Sequence, residues 1–245
     1  MSVAITFSTS GRIVRQLRHD RRTVALLILV PAILLTLLYY MYEDAPQIFD
    51  RVALIMLGIF PFVIMFLVTS IAMLRERTSG TLERLLTTPL GKIDLLFGYG
   101  LAFSGAAAVQ GAVATGVAYW LLGLDTLGSP ALVVLIAIVN AVLGVALGLL
   151  CSAFARTEFQ AVQFLPVVVV PQILLCGLFV PREQMAGWLQ AISDVLPLTY
   201  AVDALLEVGK SAEATATMWR DVIIVAGAAV LALVLAAATL RRRTP

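Results

Sequence analysis

Arg75-Glu76-Arg77-Thr78-Ser79-Gly80-Thr81-Leu82-Glu83-Arg84-Leu85-Leu86-Thr87-Thr88-Pro89-Leu90 sets a charged, hydroxyl-rich insertion between two long apolar runs. The hydroxyls before Gly80, and Thr81 after it, can accept from the free N–H groups at a helix start. Leu82, Leu85 and Leu86 fall at i, i+3 and i+4 and form one apolar stripe, with Glu83, Arg84 and Thr87 on the other side. Pro89 and Gly91 end the element, because proline cannot continue the ladder and glycine accepts a reversed turn. The spacing predicts a short amphipathic helix lying across a membrane surface, shaped to be gripped by a soluble partner.

The composition around it explains why a membrane is at issue. Of 245 residues, 61% are hydrophobic, and the mean hydropathy is +1.00. Charged residues make up 13%, about half the share of a soluble domain. A soluble fold of this size could not hide so much apolar surface. Six apolar segments are each near the roughly 20 residues that cross a hydrocarbon core. They run over 23–42, 52–74, 95–122, 131–154, 161–180 and 222–240. The fold expected is an all-α polytopic membrane protein, residues 1–245 forming one six-span domain. The first run is too long for a signal-peptide core and lacks a small-x-small exit, so no cleavable signal is expected.

Charge gives the orientation. With the amino terminus inside, the inner segments hold Arg12, Arg15, Arg18, Arg21, Arg22, Arg75, Arg77, Arg84, Lys92, Arg156, Arg241, Arg242 and Arg243. Only Arg51, Arg182, Lys210 and Arg220 fall outside, so 13 of the 17 basic residues are inner. The positive-inside rule then puts both termini and the Leu82 helix in the cytoplasm. Arg241-Arg242-Arg243 reads as a stop-transfer anchor.

Residues 1–22 carry Ile13, Val14 and Leu17 on one helical face and Arg12, Arg15, Arg18 and Arg22 on the rest. Such a helix suits the headgroup layer, beside anionic lipid. It abuts a span and has no aromatic interleaving, which argues against nucleic acid. Within the spans no ionised group lies deep, and a proton-coupled carrier would show one. What remains is mildly polar: Thr36, Thr69, Ser70, Gln110, Thr115, Asn140, Gln163 and Gln172, each read as an interhelical hydrogen bond. Gly144-x-x-x-Gly148 permits close helix approach, either within one subunit or between two. Pro166 and Pro171 should bend the fifth span or loosen its ladder; Pro31 and Pro61 could kink the first and second. These kinks serve either packing or a transport route.

The longest outer segment, 181–221, carries Met185, Trp188, Leu189, Ile192 and Leu196 at helical spacing. Pro197 should end that helix of about three turns, and Thr199 should cap a second from Tyr200 to Val208, closed by Gly209. The two together predict a re-entrant hairpin packed into the outer leaflet.

Several chemistries lack their parts. There is no G-x-x-x-x-G-K-[ST] to cradle nucleotide phosphates, and no G-x-S-x-G or H-E-x-x-H. His19 is the one histidine, and Cys151 and Cys176 lie apart in apolar runs, so no metal set or catalytic triad is expected. If the work is uphill transport, another polypeptide must supply the free energy.

Glu76 through Pro89 closely resembles the E-x-x-G-T-L-E-x-L-L-x-T-P signature of the permease subunits of type-2 ABC exporters, such as daunorubicin-exporter permeases. Phe179-Val180-Pro181, Trp188-Leu189 and Leu196 through Ala204 resemble the same family's outer re-entrant helices. Here Leu205, Leu206 and Glu207 follow Asp203, where many members have an arginine.

The resemblance implies an interfacial elbow helix over 1–22 and a coupling loop over 75–92. Glu76, Gly80, Thr81, Leu82, Glu83, Leu85, Leu86, Thr88 and Pro89 would dock on an ATPase subunit. It implies a route lined by the second and fifth spans, with Thr69, Ser70, Gln163, Phe164 and Gln172 as candidates. It also implies an outer gate at Pro181, Trp188, Pro197 and Tyr200. ATP and Mg would sit on the partner, present in two copies. A second permease copy or a paralogue would complete the pore in a bacterial plasma membrane. The cargo expected is a hydrophobic or amphipathic drug, antibiotic or lipid-like molecule. Export of polysaccharide or a lipid-linked glycan is the alternative within the class; a membrane-embedded lipid-modifying enzyme is the alternative outside it.

Overall fold

In hydrocarbon every backbone polar group must be satisfied within the protein, so long apolar runs can cross only as helices or closed barrels. The computed structural model describes residues 3–78 and 92–239, and among these there is no strand. Helix α1 (Val3–His19) meets α2 (Arg21–Met41) at Asp20. The Asp20 carboxylate accepts from the Thr23 N–H at 3.1 Å and from its hydroxyl at 2.6 Å. Those bonds hold Asp20 below the usual carboxylate range. Helix α3 (Pro46–Thr78) runs 33 residues as one helix, with Pro61 inside it. Helix α4 (Lys92–Gly116) continues into a π-helical turn, Val117–Leu121.

Helix α5 (Pro130–Ser152) starts on a Ser129 cap with proline at its first position, the place where a missing N–H costs nothing. Helix α6 (Glu158–Phe164) is capped by Thr157. A π-helical turn, Leu165–Val169, separates it from α7 (Val170–Leu175). Two short helices, α8 (Gly187–Ser193) and α9 (Pro197–Lys210), precede α10 (Ala216–Thr239). Among the described residues six helices are long and apolar enough to cross a membrane, α6–α7 counting as one of them. They coincide with the six expected runs.

The core is built where α3 lies against α5. A methyl on Gly144 would sit 2.3 Å from the Phe62 carbonyl oxygen, and one on Gly148 would sit 2.5 Å from that of Phe66. One turn earlier the Asn140 side chain donates to the Gly58 carbonyl at 2.8 Å. The three pairings, 58 with 140, 62 with 144 and 66 with 148, keep one offset of 82 residues. The two helices therefore run parallel with their backbones in contact. The small-xxx-small spacing serves packing within the chain.

Helix α9 closes the end opposite α1. Its buried face, Leu198, Ala201, Val202, Leu205 and Val208, packs onto α3, α5 and α10. Leu205 reaches Gly58, where an added methyl would meet its Cδ1 at 2.9 Å. The loop after α4 seals the far end of α9: the Gly128 N–H donates to the Val208 carbonyl at 2.9 Å.

Two expectations are corrected here. Pro197 does not end the first outer helix; α8 stops at Ser193 and Pro197 opens α9 in the first-turn position that suits it. Thr199 consequently lies inside α9, fully buried, and its hydroxyl pairs with that of Ser193 at 3.2 Å. On α1, Val14 faces out, while Thr6, Thr9, Ser10 and Ile13 form the buried face. This face is hydroxyl-rich because it meets protein: a methyl on Gly98 of α4 would touch Thr9 at 2.8 Å.

Candidate functional site

Three consecutive residues at the last turn of α3 bind three different elements. Arg75 grips Glu158 of α6 with both arms of its fork, Nε to Oε1 at 2.7 Å and Nη2 to Oε2 at 3.1 Å. Glu76 pairs with Arg12 of α1 at 3.0 Å, and the Tyr99 hydroxyl of α4 hydrogen-bonds with both. Arg77 donates to the Ser152 carbonyl, one of the free acceptors at the carboxyl end of α5. Beneath them Leu74, Ala155 and Ala161 pack together, with Phe164 against them. Residues 75–77 thus form a junction just before the segment 79–91.

The ties differ in strength. The Glu76 side chain is 12% exposed and Arg12 31%, so that pair is shielded and supported by Tyr99. Arg75 and Glu158 are 63% and 52% exposed. A pair so wetted contributes about 1 kcal/mol at most. Its fork geometry fixes direction more than it adds stability. Glu158 also sits at the amino end of α6, where a negative charge is favoured.

Of the expected coupling residues, Glu76 belongs to this junction. Gly80, Thr81, Leu82, Glu83, Leu85, Leu86, Thr88 and Pro89 lie outside the described residues. The candidates for the route do not share one surface. Thr69 and Ser70 are fully buried on α3, and the Thr69 hydroxyl donates to the Met65 carbonyl of its own helix at 2.5 Å. Gln163 is exposed and Phe164 half-buried on α6. Gln172 is buried; its amide donates to Val168 at 2.9 Å and its oxygen accepts from the Leu198 N–H at 3.3 Å.

Among the polar residues read as interhelical bonds, Asn140 and Gln172 bridge elements. Thr36 and Thr69 bond back to carbonyls four residues earlier, the local alternative open to a hydroxyl on a helix. Ser70 Oγ, Thr115 Oγ1 and both side-chain polar atoms of Gln110 have no partner among the described residues.

At the opposite end the four gate candidates surround the hairpin of α8 and α9. Pro181 begins the 3-10 turn Arg182–Gln184, Trp188 is 67% exposed on α8, and Pro197 starts α9. The Tyr200 hydroxyl donates to the Asp194 carbonyl at 2.6 Å. Arg182 binds both Asp194 and Asp203, pinning the hairpin start to α8 and α9. Burial nonetheless raises the Asp203 carboxyl above its usual range against the pull of Arg182. A cavity of about 560 Å³ opens beside them between α3, α9 and α10, lined by both signs of charge, among them Asp50, Lys210 and Asp221.

Sequence reasoning passed over Arg75, Glu158, Arg182 and Asp194 as site residues. Arg75 and Glu158 are 83 positions apart, and no periodicity signals a pair at that distance. Arg182 could have been found: it is one of four basic residues that the charge count expects on the carboxylate-rich outer side.

This architecture, a helical bundle with an ionic junction at the mouth of its second span, defines a polytopic membrane domain. Residues 5–208 match the family described as ABC-2 type transporter, and the chain belongs to that family. It is 31% identical over 137 residues to a probable multidrug ABC transporter permease, YbhR, of Escherichia coli K12. That match covers 56% of this chain and 37% of the relative. It is 27% identical over 135 residues to the linearmycin resistance permease protein LnrN of Bacillus subtilis 168, covering 55% and 35%. It is 28% identical over 141 residues to ABC transporter G family member 20 of Dictyostelium discoideum, covering 58% and 19%. The matched stretch thus spans little more than a third of the bacterial relatives.

Proposed function

We propose that this chain is the transmembrane subunit of an ATP-driven exporter that moves a hydrophobic or amphipathic small molecule out of a bacterial cell. Family membership supports the transport class, and the names of the bacterial relatives support drug or antibiotic cargo. The observation that carries the mechanism is the junction at 75–77. Glu76 opens the family-like signature and is fixed to α1 and α4 through Arg12 and Tyr99. A helix docked on a motor can move the bundle only if its root is fastened to the bundle.

In this reading both termini are cytoplasmic, and two ATPase subunits hold ATP and Mg. A second permease copy or a paralogue completes the path. ATP binding draws the motors together and displaces the Leu82 helices; spans two and five rearrange; the hairpin at Trp188 and Tyr200 opens and closes the outer end. The chain itself supplies no nucleotide chemistry.

The test is uncoupling. With Glu83 replaced by alanine, or Leu82, Leu85 and Leu86 by serine, an ATPase should still copurify and hydrolyse ATP. Cells carrying these variants should be as susceptible to a panel of amphipathic antibiotics as cells lacking the gene. Full resistance conferred by the variants would refute the role of the Leu82 helix. Failure to copurify any ATPase with the unsubstituted chain would refute the class of mechanism.

A further inference from the structure

The fifth span is a rod that the rest of the chain covers sparsely. Only 17% of it is buried, and within α6, the π-helical turn and α7 the buried residues are Ala161, Val169 and Gln172. What holds it lies toward its ends. At one end Glu158 is gripped by the fork of Arg75, four residues before the segment 79–91. At the other end two bonds tie it to the hairpin. Gln172 accepts from the Leu198 N–H of α9 at 3.3 Å, and the Leu175 carbonyl accepts from the Ser193 hydroxyl of α8 at 2.9 Å. Ser193 in turn meets the Thr199 hydroxyl at 3.2 Å.

The other two ties of the junction lead elsewhere. Among the described residues, these bonds of Glu76 and Arg77 lead to α1, through Arg12, and to the end of α5. The α5 contact anchors to the helix that shares its backbone surface with α3. Among the described residues Arg75 is therefore the charged group that relates the root of the 79–91 segment to the span that leads directly into the hairpin.

We propose that Arg75 and Glu158 are positioning residues for transport: their ion pair is the joint that carries displacement of the 79–91 segment into the fifth span and so to the outer hairpin. The inference rests on the exporter reading. The exposure of the pair fits the role, since a joint that must release and re-form on each cycle cannot be a deeply buried one. Its two-point geometry passes on rotation as well as translation, which a single contact would not. Leu74, Ala161 and Phe164 keep the two helices packed when the ions part.

The test reads the far end of the rod and needs no cargo. Ala191 is exposed on α8, and Ala191→Cys places a thiol there for a membrane-impermeant maleimide. The chain is purified with its copurifying ATPase and reconstituted in lipid. Labelling is followed without nucleotide and after trapping with ATP and vanadate, and the chain without the added thiol gives the baseline. In the parent, trapping should change the labelling rate. R75Q and E158Q should each lose that response while still hydrolysing ATP, and the R75Q/E158Q double variant should lose no more than either alone. That non-additivity marks two groups acting as one.

Single variants that respond like the parent, or losses that add in the double variant, would overturn the joint and leave the exporter reading standing. A parent with an active ATPase and no nucleotide response at Ala191→Cys would overturn the exporter reading, and the joint with it.

Discussion

Gly144 and Gly148 show what one methyl group is worth in this bundle. Each faces a carbonyl oxygen of α3, at 2.3 and 2.5 Å from where a Cβ would stand. Gly144→Ala must push α3 and α5 apart, at a cost of about 1–3 kcal/mol. The expected result is a clearly lower melting temperature of the purified chain. Gly227→Ala, whose Cβ would meet nothing within 4 Å, should leave it unchanged or slightly raised.

Asp203 gives the pH dependence at the same scale. Its carboxyl is raised by burial, so over the range above the ordinary Asp value the folded chain holds a proton that the unfolded chain has lost. Stability from this group is therefore greatest at low pH and falls as pH rises through that window. Asp203→Asn should flatten this part of a melting-temperature profile, and a profile as steep as the parent's would refute the assignment.

At the scale of elements, the fifth span and the hairpin belong together. The amino end of α9 has no side-chain cap of its own, since Leu196 precedes it, and Gln172 of α7 satisfies the Leu198 N–H instead. Gln172→Leu leaves that buried N–H without its acceptor, at a cost of about 1–3 kcal/mol. Amide exchange at the start of α9 should speed up, while exchange in α5 stays as it was.

The sequence made part of this readable. Pro166 and Pro171 announced a loosened ladder, and the π-helical turn falls there. Pro197 misled because proline both stops one helix and starts the next, and only the packing of Thr199 against Ser193 decides between them. The six spans were legible because a bilayer enforces length and composition. The junction was not, because Arg12 meets Glu76, and Glu158 meets Arg75, through tertiary placement, and as a sequence they read as ordinary interfacial charge.

For the whole molecule, the distribution of basic residues predicts which face is cytoplasmic. Arg18 is exposed on α1 at one end, and Ala191 is exposed on α8 at the other. A thiol at Ala191 should react with an impermeant maleimide in intact cells. A thiol at Arg18 should react only after the membrane is opened. The reverse pattern would invert the molecule and put the Leu82 segment beyond the reach of ATP. The bundle's ends are chemically unlike in a way that agrees: one carries the junction and the arginines of α1, the other the carboxylate-rich cavity beside α9.

The contact between α3 and α5 has a consequence for motion. Where two backbones touch at two successive pairings and an asparagine bridges a third, no layer of flexible side chains is left to shear through. These helices must travel as a single keel. Any widening of the bundle is then confined to the seams on either side of that keel, where α2 and the α6–α7 rod ride on it with most of their surface turned outward.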